Sequence, residues 1–181
     1  DRFEVTYEGG GDAPTAHCAG GASAASGPLP GLSLAAARAS CGEAVDAASL
    51  YSHLRSVGLE YGPRYRTLEL AAVSRAAGAA VGRLCRRSRK EGTRVHPADL
   101  DSGMQLHAIS RGAEQSVVRL PCAVGAARLI ATSSALIVVA VRKDDGMSLR
   151  LADSRGSVAA TADDVEVRSL SEHCRGDIGL V

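Results

Sequence analysis

The chain has 181 residues with a formal net charge of +1, and 45% of its residues are hydrophobic. That length suffices for one domain with a sizeable core, while the balanced charge gives no general attraction to nucleic acid or to a membrane surface. Because the longest apolar runs are far shorter than the ~20 residues that a spanning helix needs, the composition predicts a cytoplasmic protein that binds neither.

The five cysteines argue for reduced thiols and against a metal site. They are far apart in the sequence, odd in number and free of any CxxC pair, a usage typical of a reducing compartment. His17-Cys18 and His173-Cys174 are adjacent pairs, and neighbouring residues on a strand point to opposite faces of a sheet. Chelation by either pair is therefore not expected, and the sequence predicts no metal ion.

The first part of the chain predicts a hairpin followed by a linker. Polar and apolar residues alternate over 2–8, which predicts a strand with Phe3 and Val5 on a half-buried face, and the residues after a glycine turn can return as its partner. The next part is rich in Gly, Ala, Ser and Pro, a composition that buries too little surface to offset its ordering entropy. We therefore expect a hairpin in 1–21 and a linker in 22–46.

The next part predicts a helix, a bend and two strands. Residues 47–57 carry an apolar stripe at helical spacing, and Gly58 can adopt the left-handed conformation that ends a helix. Tyr61-Gly62-Pro63 predicts a tight bend, since glycine permits close backbone approach and proline fixes φ. Strands are then predicted over 67–74 and 79–85.

A basic run covers residues 83–94. It contains six Arg and Lys residues against one Glu. No aromatic residue accompanies them, so stacking on nucleic acid is not expected. Two interpretations remain, a solvated loop or a landing patch for an acidic protein partner.

The segment HPADLDSGMQ, residues 96–105, organises the rest of the chain. Pro97 suits a first helical position, and the pattern predicts a helix to about residue 111. Asp101 and Gln105 are four residues apart, so the carboxylate and the amide lie on one helix face among apolar neighbours. Such an aspartate is either a cap or solvated residue, or a group with a chemical role.

The remainder predicts an antiparallel meander. Strand patterns occur over 115–120, 125–132, 135–142, 147–152 and 165–170. Turn-forming residues separate several of them. Two early strands, one long helix and a run of later strands predict an α+β fold in which an antiparallel sheet packs on a central helix.

Three ordered motifs resemble those of the dehydratase domains of modular polyketide synthases and of related fatty-acid synthases. HPADLDSGMQ is similar to the family element HPxxxDxxxQ, residues 58–65 (GLEYGPRY) resemble GYxYGPxF, and residues 120–124 (LPCAV) resemble LPFxW. The resemblance implies a hotdog fold, in which a curled antiparallel sheet surrounds a central helix, here as the second half of a double hotdog.

The resemblance also implies an activity, that of a 3-hydroxyacyl-[acyl-carrier-protein] dehydratase. Such a hydro-lyase removes water from a 3-hydroxyacyl thioester to give a 2,3-enoyl thioester; the substrate is carried on the phosphopantetheine arm of acyl carrier protein, and no other cofactor is implied. Asp101 matches the acid that assists the departing β-hydroxyl, and Gln105 matches the amide that orients it. The implied substrate-binding residues are Tyr61, Gly62, Pro63, His96, Pro97, Leu120 and Pro121. His96, which precedes a proline, is also interpreted as a packing or hydrogen-bonding residue.

The family's parts and partners suggest how the chain is divided. Residues 1–21 would be the last hairpin of a truncated N-terminal hotdog lobe, 22–46 an inter-lobe linker, 47–173 the C-terminal lobe and 174–181 a tail. A start at Asp instead of Met suggests an excised piece or a cleaved product. The implied partners are acyl carrier protein, the N-terminal lobe, other synthase domains and a second copy of the parent enzyme in a homodimer.

The family's first lobe carries a catalytic histidine in an HxxxGxxxxP motif. His17 and Gly21 fit its first two positions, but Ser26 stands where the proline belongs. We therefore interpret His17 as a strand histidine, expect the partner catalytic histidine to be missing, and expect the isolated chain to bind substrate at best.

Several positions depart from the family pattern. Asp99, Ser102 and Gly103 replace apolar or small apolar residues of the motif, and Cys122 and Val124 stand where aromatic residues are common. The alternative function is therefore a non-catalytic or product-template-like hotdog module that binds acyl chains or carrier protein as a scaffold.

Overall fold

A computed structural model describes residues 1–7, 15–24, 27–86, 93, 95–110, 119–130, 137–143 and 146–169. Its elements in chain order are β1 (Arg2–Tyr7), β2 (Thr15–Gly21), α1 (Leu34–Ala39), β3 (Glu43–Val45), α2 (Ala47–Ser56), a 3-10 turn (Pro63–Tyr65), β4 (Leu68–Ser74), β5 (Ala79–Leu84), α3 (Pro97–Ser110), β6 (Arg119–Leu129), β7 (Ile137–Arg142), β8 (Gly146–Ala152) and β9 (Val158–Ser169). In the described part of the chain, no helix has the length and apolar character needed to cross a bilayer.

Among the residues that the structure describes, seven strands form one antiparallel sheet in the order β3-β4-β5-β7-β8-β9-β6. The central helix α3 packs across β4, β5, β7 and β8. The predicted α+β class, with an antiparallel sheet packed on one long helix, is confirmed. β1 and β2 pair with each other in a separate two-stranded sheet.

The two faces of the large sheet bury different side chains. The face toward α3 carries the larger aliphatic residues, among them Leu149 and Leu151 of β8. Leu106 of the helix belongs to the same core cluster, and all three are fully buried. The opposite face is covered by α1 and the residues around it, where Cys41 packs with Val81 and other apolar side chains of β5 and β7. Alternation along the strands produces both layers.

The start and the close packing of α3 follow from its sequence. Pro97 begins the helix, and the imidazole Nδ1 of His96 accepts a hydrogen bond from the Ala98 amide at 3.1 Å, which satisfies one of the donors that a helix start leaves open. Further along, a Cβ on Gly103 would lie 2.7 Å from Leu149 Cδ2. The glycine that departs from the family motif therefore lets α3 approach β8 closely.

The N-terminal part differs from the prediction in two respects. The hairpin forms, but Phe3 and Val5 are 48% and 51% exposed, so the face predicted as half-buried is open in the described residues. The predicted linker 22–46 contains α1 and the sheet strand β3. Residues 43–45 pair with β4, and the large sheet therefore begins before the predicted boundary at 47.

The later strands were predicted with the right order but partly wrong limits. β7 and β8 fall within or close to the predicted ranges 135–142 and 147–152. The strands predicted over 115–120 and 125–132 are one continuous strand, β6, within the residues described. β9 begins at Val158, seven residues before the predicted start at Val165, because its alanine-rich first half carries a weak strand signal.

Candidate active site

Asp101 and Gln105 lie one turn apart on α3, and their side chains are bonded to each other. The amide Nε2 of Gln105 donates to Asp101 Oδ2 at 2.8 Å and to the backbone oxygen of Tyr65 at 3.0 Å. Gln105 is almost fully buried, at 1% exposure, whereas Asp101 is half-buried. The amide is thus a fixed support, and the carboxyl group retains an open side.

Tyr61 brings a second donor to the same carboxyl group. The bend at Tyr61-Gly62-Pro63 leads into the 3-10 turn that packs against α3, and the Tyr61 hydroxyl lies near enough to the Asp101 carboxyl to lower its pKa. Burial, together with the negative charge of Asp101, raises the pKa of the Tyr61 phenol well above its ordinary value of 10.0. Tyr61 therefore stays protonated and acts as a donor.

The surroundings of Asp101 favour its protonated form. Burial raises the pKa of the Asp101 carboxyl above its ordinary value of 3.8, and the hydrogen bonds from Gln105 and Tyr61 lower it to a smaller extent. Desolvation disfavours the charged form, while donors stabilise it once formed. This combination suits a carboxylic acid that gives up a proton and must then be stabilised as an anion.

The sequence did not single out Tyr51 as a site residue. It lies on α2, where its hydroxyl donates to Gln105 Oε1 at 3.1 Å and accepts from the Leu68 amide at 3.2 Å. The sequence places it beside an apolar stripe, and a tyrosine packed there needs a partner for its hydroxyl. That requirement is the signal that could have identified it.

A sequence profile described as "Polyketide synthase dehydratase N-terminal domain" matches residues 30–176, most of the chain. The chain belongs to the polyketide synthase dehydratase family. The description names an N-terminal domain, whereas the three motifs suggested a C-terminal lobe; the division into lobes stays a prediction.

One curated relative in this family is erythronolide synthase EryA2 of Saccharopolyspora erythraea. It is 31% identical over 124 residues, which are 67% of this chain and 3% of that protein. The chain thus spans a small part of the synthase that it matches.

Solved dehydratase domains share the fold. The domain from the CurF module of curacin polyketide synthase has a TM-score of 0.80 at 20% identity over 93% of this chain and 64% of that one. The domain of PpsC from Mycobacterium tuberculosis has a TM-score of 0.72 at 21% identity over 94% of this chain and 63% of that one. The predicted hotdog fold is confirmed, and the chain spans just under two thirds of these domains.

The other residues implied by the dehydratase resemblance fall into two places. Gly62 and Pro63 lie in the bend beside Asp101, and Pro97 lies one turn before it on α3; all three are exposed. His96 is buried, with its Nδ1 bonded to the helix start, which is the hydrogen-bonding role that the sequence suggested. A contact of these residues with substrate stays a prediction.

Leu120 and Pro121 occupy a different region from Asp101. They lie on β6, the edge strand, which is two strands beyond β8 in the sheet order, and both are exposed. Cys122 and Val124 on the same strand are exposed as well. Sheet order therefore separates this motif from the strands on which α3 packs, and its role in substrate binding stays a prediction.

Three other features discussed from the sequence lie wholly or partly outside the described residues. The side chain of His17 is outside them, as are 87–92, Arg94 and the tail 174–181. Of the basic run, Arg83 is described and forms an ion pair with Glu69 at 2.9 Å. Within the described ranges, no cluster of three or more His, Cys, Asp and Glu side chains could hold a metal ion.

Proposed function

We propose that the chain is part of a polyketide synthase dehydratase that eliminates water from a 3-hydroxyacyl thioester on acyl carrier protein, with Asp101 as the acid. The observation that carries the proposal is the half-buried Asp101 carboxyl, which is open on one side and bonded to the Gln105 amide within the HPxxxDxxxQ pattern. Family membership supports the reaction class, and this geometry supports Asp101 as the acid.

The proposed step needs a proton for the departing oxygen. A base removes the α-proton, the electron pair forms the 2,3 double bond, the β-carbon–oxygen bond breaks, and Asp101 gives its proton to the hydroxyl, which leaves as water. The carboxylate that remains accepts hydrogen bonds from Gln105 Nε2 and from the Tyr61 hydroxyl. Donors that are already in place stabilise this charge without reorganisation.

The base in this proposal is a histidine of the N-terminal hotdog lobe. The family's HxxxGxxxxP motif has no full match in these 181 residues, since Ser26 stands at the proline position after His17. Dehydration by the proposed mechanism therefore needs the complete lobe pair, and residues 1–181 alone are proposed to bind substrate without turnover.

The proposed partners follow from the substrate. Acyl carrier protein presents the thioester on its phosphopantetheine arm, and its acidic surface is proposed to dock on the basic run 83–94. Other synthase domains and a homodimeric parent enzyme complete the proposed cytoplasmic assembly.

The test compares Asp101→Asn with the wild type in the full-length protein, using carrier protein loaded with a 3-hydroxyacyl group and mass spectrometry to follow loss of water. A general acid typically contributes about 100- to 10,000-fold, and we expect turnover to fall within that range. Asp46→Asn is the matched control, because Asp46 caps α2 through the Ser49 amide and asparagine caps a helix equally well.

Unchanged turnover in Asp101→Asn would refute Asp101 as the acid. A wild-type protein that retains the loaded carrier without releasing water would refute the dehydratase and favour the scaffold. Equal losses in Asp101→Asn and Asp46→Asn would indicate damage to the fold in place of a lost proton donor.

A further inference from the structure

The Gln105 amide is held between two backbone groups of opposite character. On one side the Leu68 N–H, which can only donate, bonds to the Tyr51 hydroxyl at 3.2 Å. On the other side the Tyr65 carbonyl, which can only accept, receives a bond from Gln105 Nε2 at 3.0 Å. Tyr51 and Gln105 lie between them, so the direction of each bond is determined by the backbone at both ends.

The direction of these bonds fixes which atom of the amide faces Asp101. Since the Tyr51 oxygen accepts from Leu68, its proton is available for Gln105 Oε1 at 3.1 Å. Nε2 then has one hydrogen for Tyr65 and one for Asp101 Oδ2 at 2.8 Å. All these groups are satisfied at once.

The reversed amide would lose its bonds to the Tyr65 carbonyl and to the Asp101 carboxylate. Gln105 Oε1 would then face the Tyr65 carbonyl and the Asp101 carboxylate, and acceptors would oppose acceptors at both contacts. Gln105 is buried at 1% exposure, so water could not relieve the mismatch, and an unsatisfied buried polar group costs about 1–3 kcal/mol. The hydroxyl of Tyr51, as the donor to Gln105 Oε1, therefore adds to the contacts that keep the N–H side of the amide on Asp101.

We infer that Tyr51 is a positioning residue of the dehydratase site, acting through Gln105 to keep an N–H donor on the Asp101 carboxyl. The inference rests on the proposed function for its effect on turnover, but its effect on the carboxyl group can be measured without turnover. Tyr51 does not itself contact Asp101 through any hydrogen bond described for the site.

A phenylalanine can take the place of the Tyr51 ring. The ring packs edge to face against Tyr61, with centroids 6.3 Å apart, and the Arg66 guanidinium lies 5.7 Å from its centroid. Both contacts depend on the ring and not on the hydroxyl. Tyr51→Phe thus removes the hydrogen bonds and retains the packing.

Two measurements test Tyr51→Phe. Kinetics are measured in the full-length protein, and the pKa of the Asp101 carboxyl is measured by NMR titration in residues 1–181. We expect kcat to fall about tenfold with little change in KM, which corresponds to roughly one lost hydrogen bond. Without the Gln105 donor, the pKa of Asp101 is expected to rise further, because that donor lowers it in the wild type. Tyr61 remains as the other donor facing the carboxyl group.

A double variant with Gln105→Ala distinguishes positioning of Gln105 by Tyr51 from general destabilisation of the fold. If Tyr51 acts through Gln105, Tyr51→Phe should cause no further loss of kcat and no further pKa shift in a Gln105→Ala protein. Ser52→Ala, an exposed change on the same helix, is the control and should leave both readouts at their wild-type values.

Independent, additive losses of kcat in the double variant would overturn the inference. An Asp101 pKa that is unchanged in Tyr51→Phe would overturn it as well. The proposed function can fail separately. If the wild type shows no turnover while Tyr51→Phe still raises the pKa of Asp101, the positioning inference is supported and the dehydratase assignment is refuted.

Discussion

Two regions of the molecule resemble family motifs, yet their surroundings differ. The Asp101–Gln105 pair on α3 is tied by hydrogen bonds to α2, to the bend and to the 3-10 turn. The LPCAV motif lies on the edge strand β6, where Leu120, Val124 and Leu129 are 36%, 47% and 44% exposed. The side chains of the first region find their hydrogen-bond partners within the described chain. The second region presents its apolar side chains to solvent.

The difference shows what a motif does and does not predict. HPADLDSGMQ contains both members of its central contact, because residues four apart on a helix meet whatever else surrounds them. The β6 motif contains one side of a contact and depends on another element to cover it. A local motif therefore predicts a local geometry, and burial depends on what packs against it.

The largest expected effect is a difference in unfolding free energy between two Leu→Ala substitutions, one in each region. Leu149→Ala removes a fully buried side chain beside α3, and such truncations cost about 2–5 kcal/mol of unfolding free energy. Leu120→Ala on β6 should stay within about 0.5 kcal/mol, as is usual for surface changes. Urea denaturation of both variants measures the contrast, and equal losses would mean that β6 is covered in the protein as it exists.

A smaller effect is expected from Gly103→Ala. The added Cβ would lie 2.7 Å from Leu149 Cδ2, and overpacking of a filled core costs about 1–3 kcal/mol. Shortening the neighbour should restore part of the loss, so Gly103→Ala/Leu149→Val should be more stable than the sum of the two single variants. Additive losses in thermal or urea unfolding would show that the two side chains do not compete for space.

The smallest effect is a change of stability with pH. Burial raises the folded-state pKa of Asp101 above its ordinary value of 3.8. Below pH 3.8 the carboxyl is protonated in both the folded and the unfolded state, so its burial does not lower the unfolding free energy. As the pH rises through the folded-state pKa, the unfolded chain has already released the proton and stability falls. The unfolding free energy of the wild type, measured relative to Asp101→Asn, should therefore decrease between the unfolded-state and the folded-state pKa of Asp101 and level off at higher pH.

The opposite slope in that comparison would mean that the donors Gln105 and Tyr61 outweigh burial. The carboxyl would then be a stabilised anion and unsuited to deliver a proton. The asparagine variant provides the reference because it does not titrate at this position.

Elements with a strong local pattern could be predicted from the sequence. α3, α2, β4 and β5 fall within a few residues of their predicted limits, since each combines regular apolar spacing with a clear start or stop signal. Gly58, predicted to end α2, has a φ of +95°. In the site, the contact between Asp101 and Gln105 could be predicted for the same local reason.

Other features could not be predicted because they depend on distant partners. The helix α1 comes from an alanine-rich segment that reads as a linker, and it is held by packing on the outer sheet face and by the bond from the Leu32 amide to the Gly156 oxygen at 2.9 Å. The Tyr51–Gln105 bond joins residues 54 positions apart. No local pattern contains either contact.

Pro121 gives the edge strand a property that its side-chain contacts do not reveal. The ladder between β6 and β9 shifts register between Pro121 and Ala123, and a proline cannot supply an N–H to either flank. An open edge invites other chains to add a strand and self-associate, and a proline is one of the devices that limit this growth. Replacing Pro121 to probe substrate recognition would thus also remove a barrier against oligomer and fibre formation.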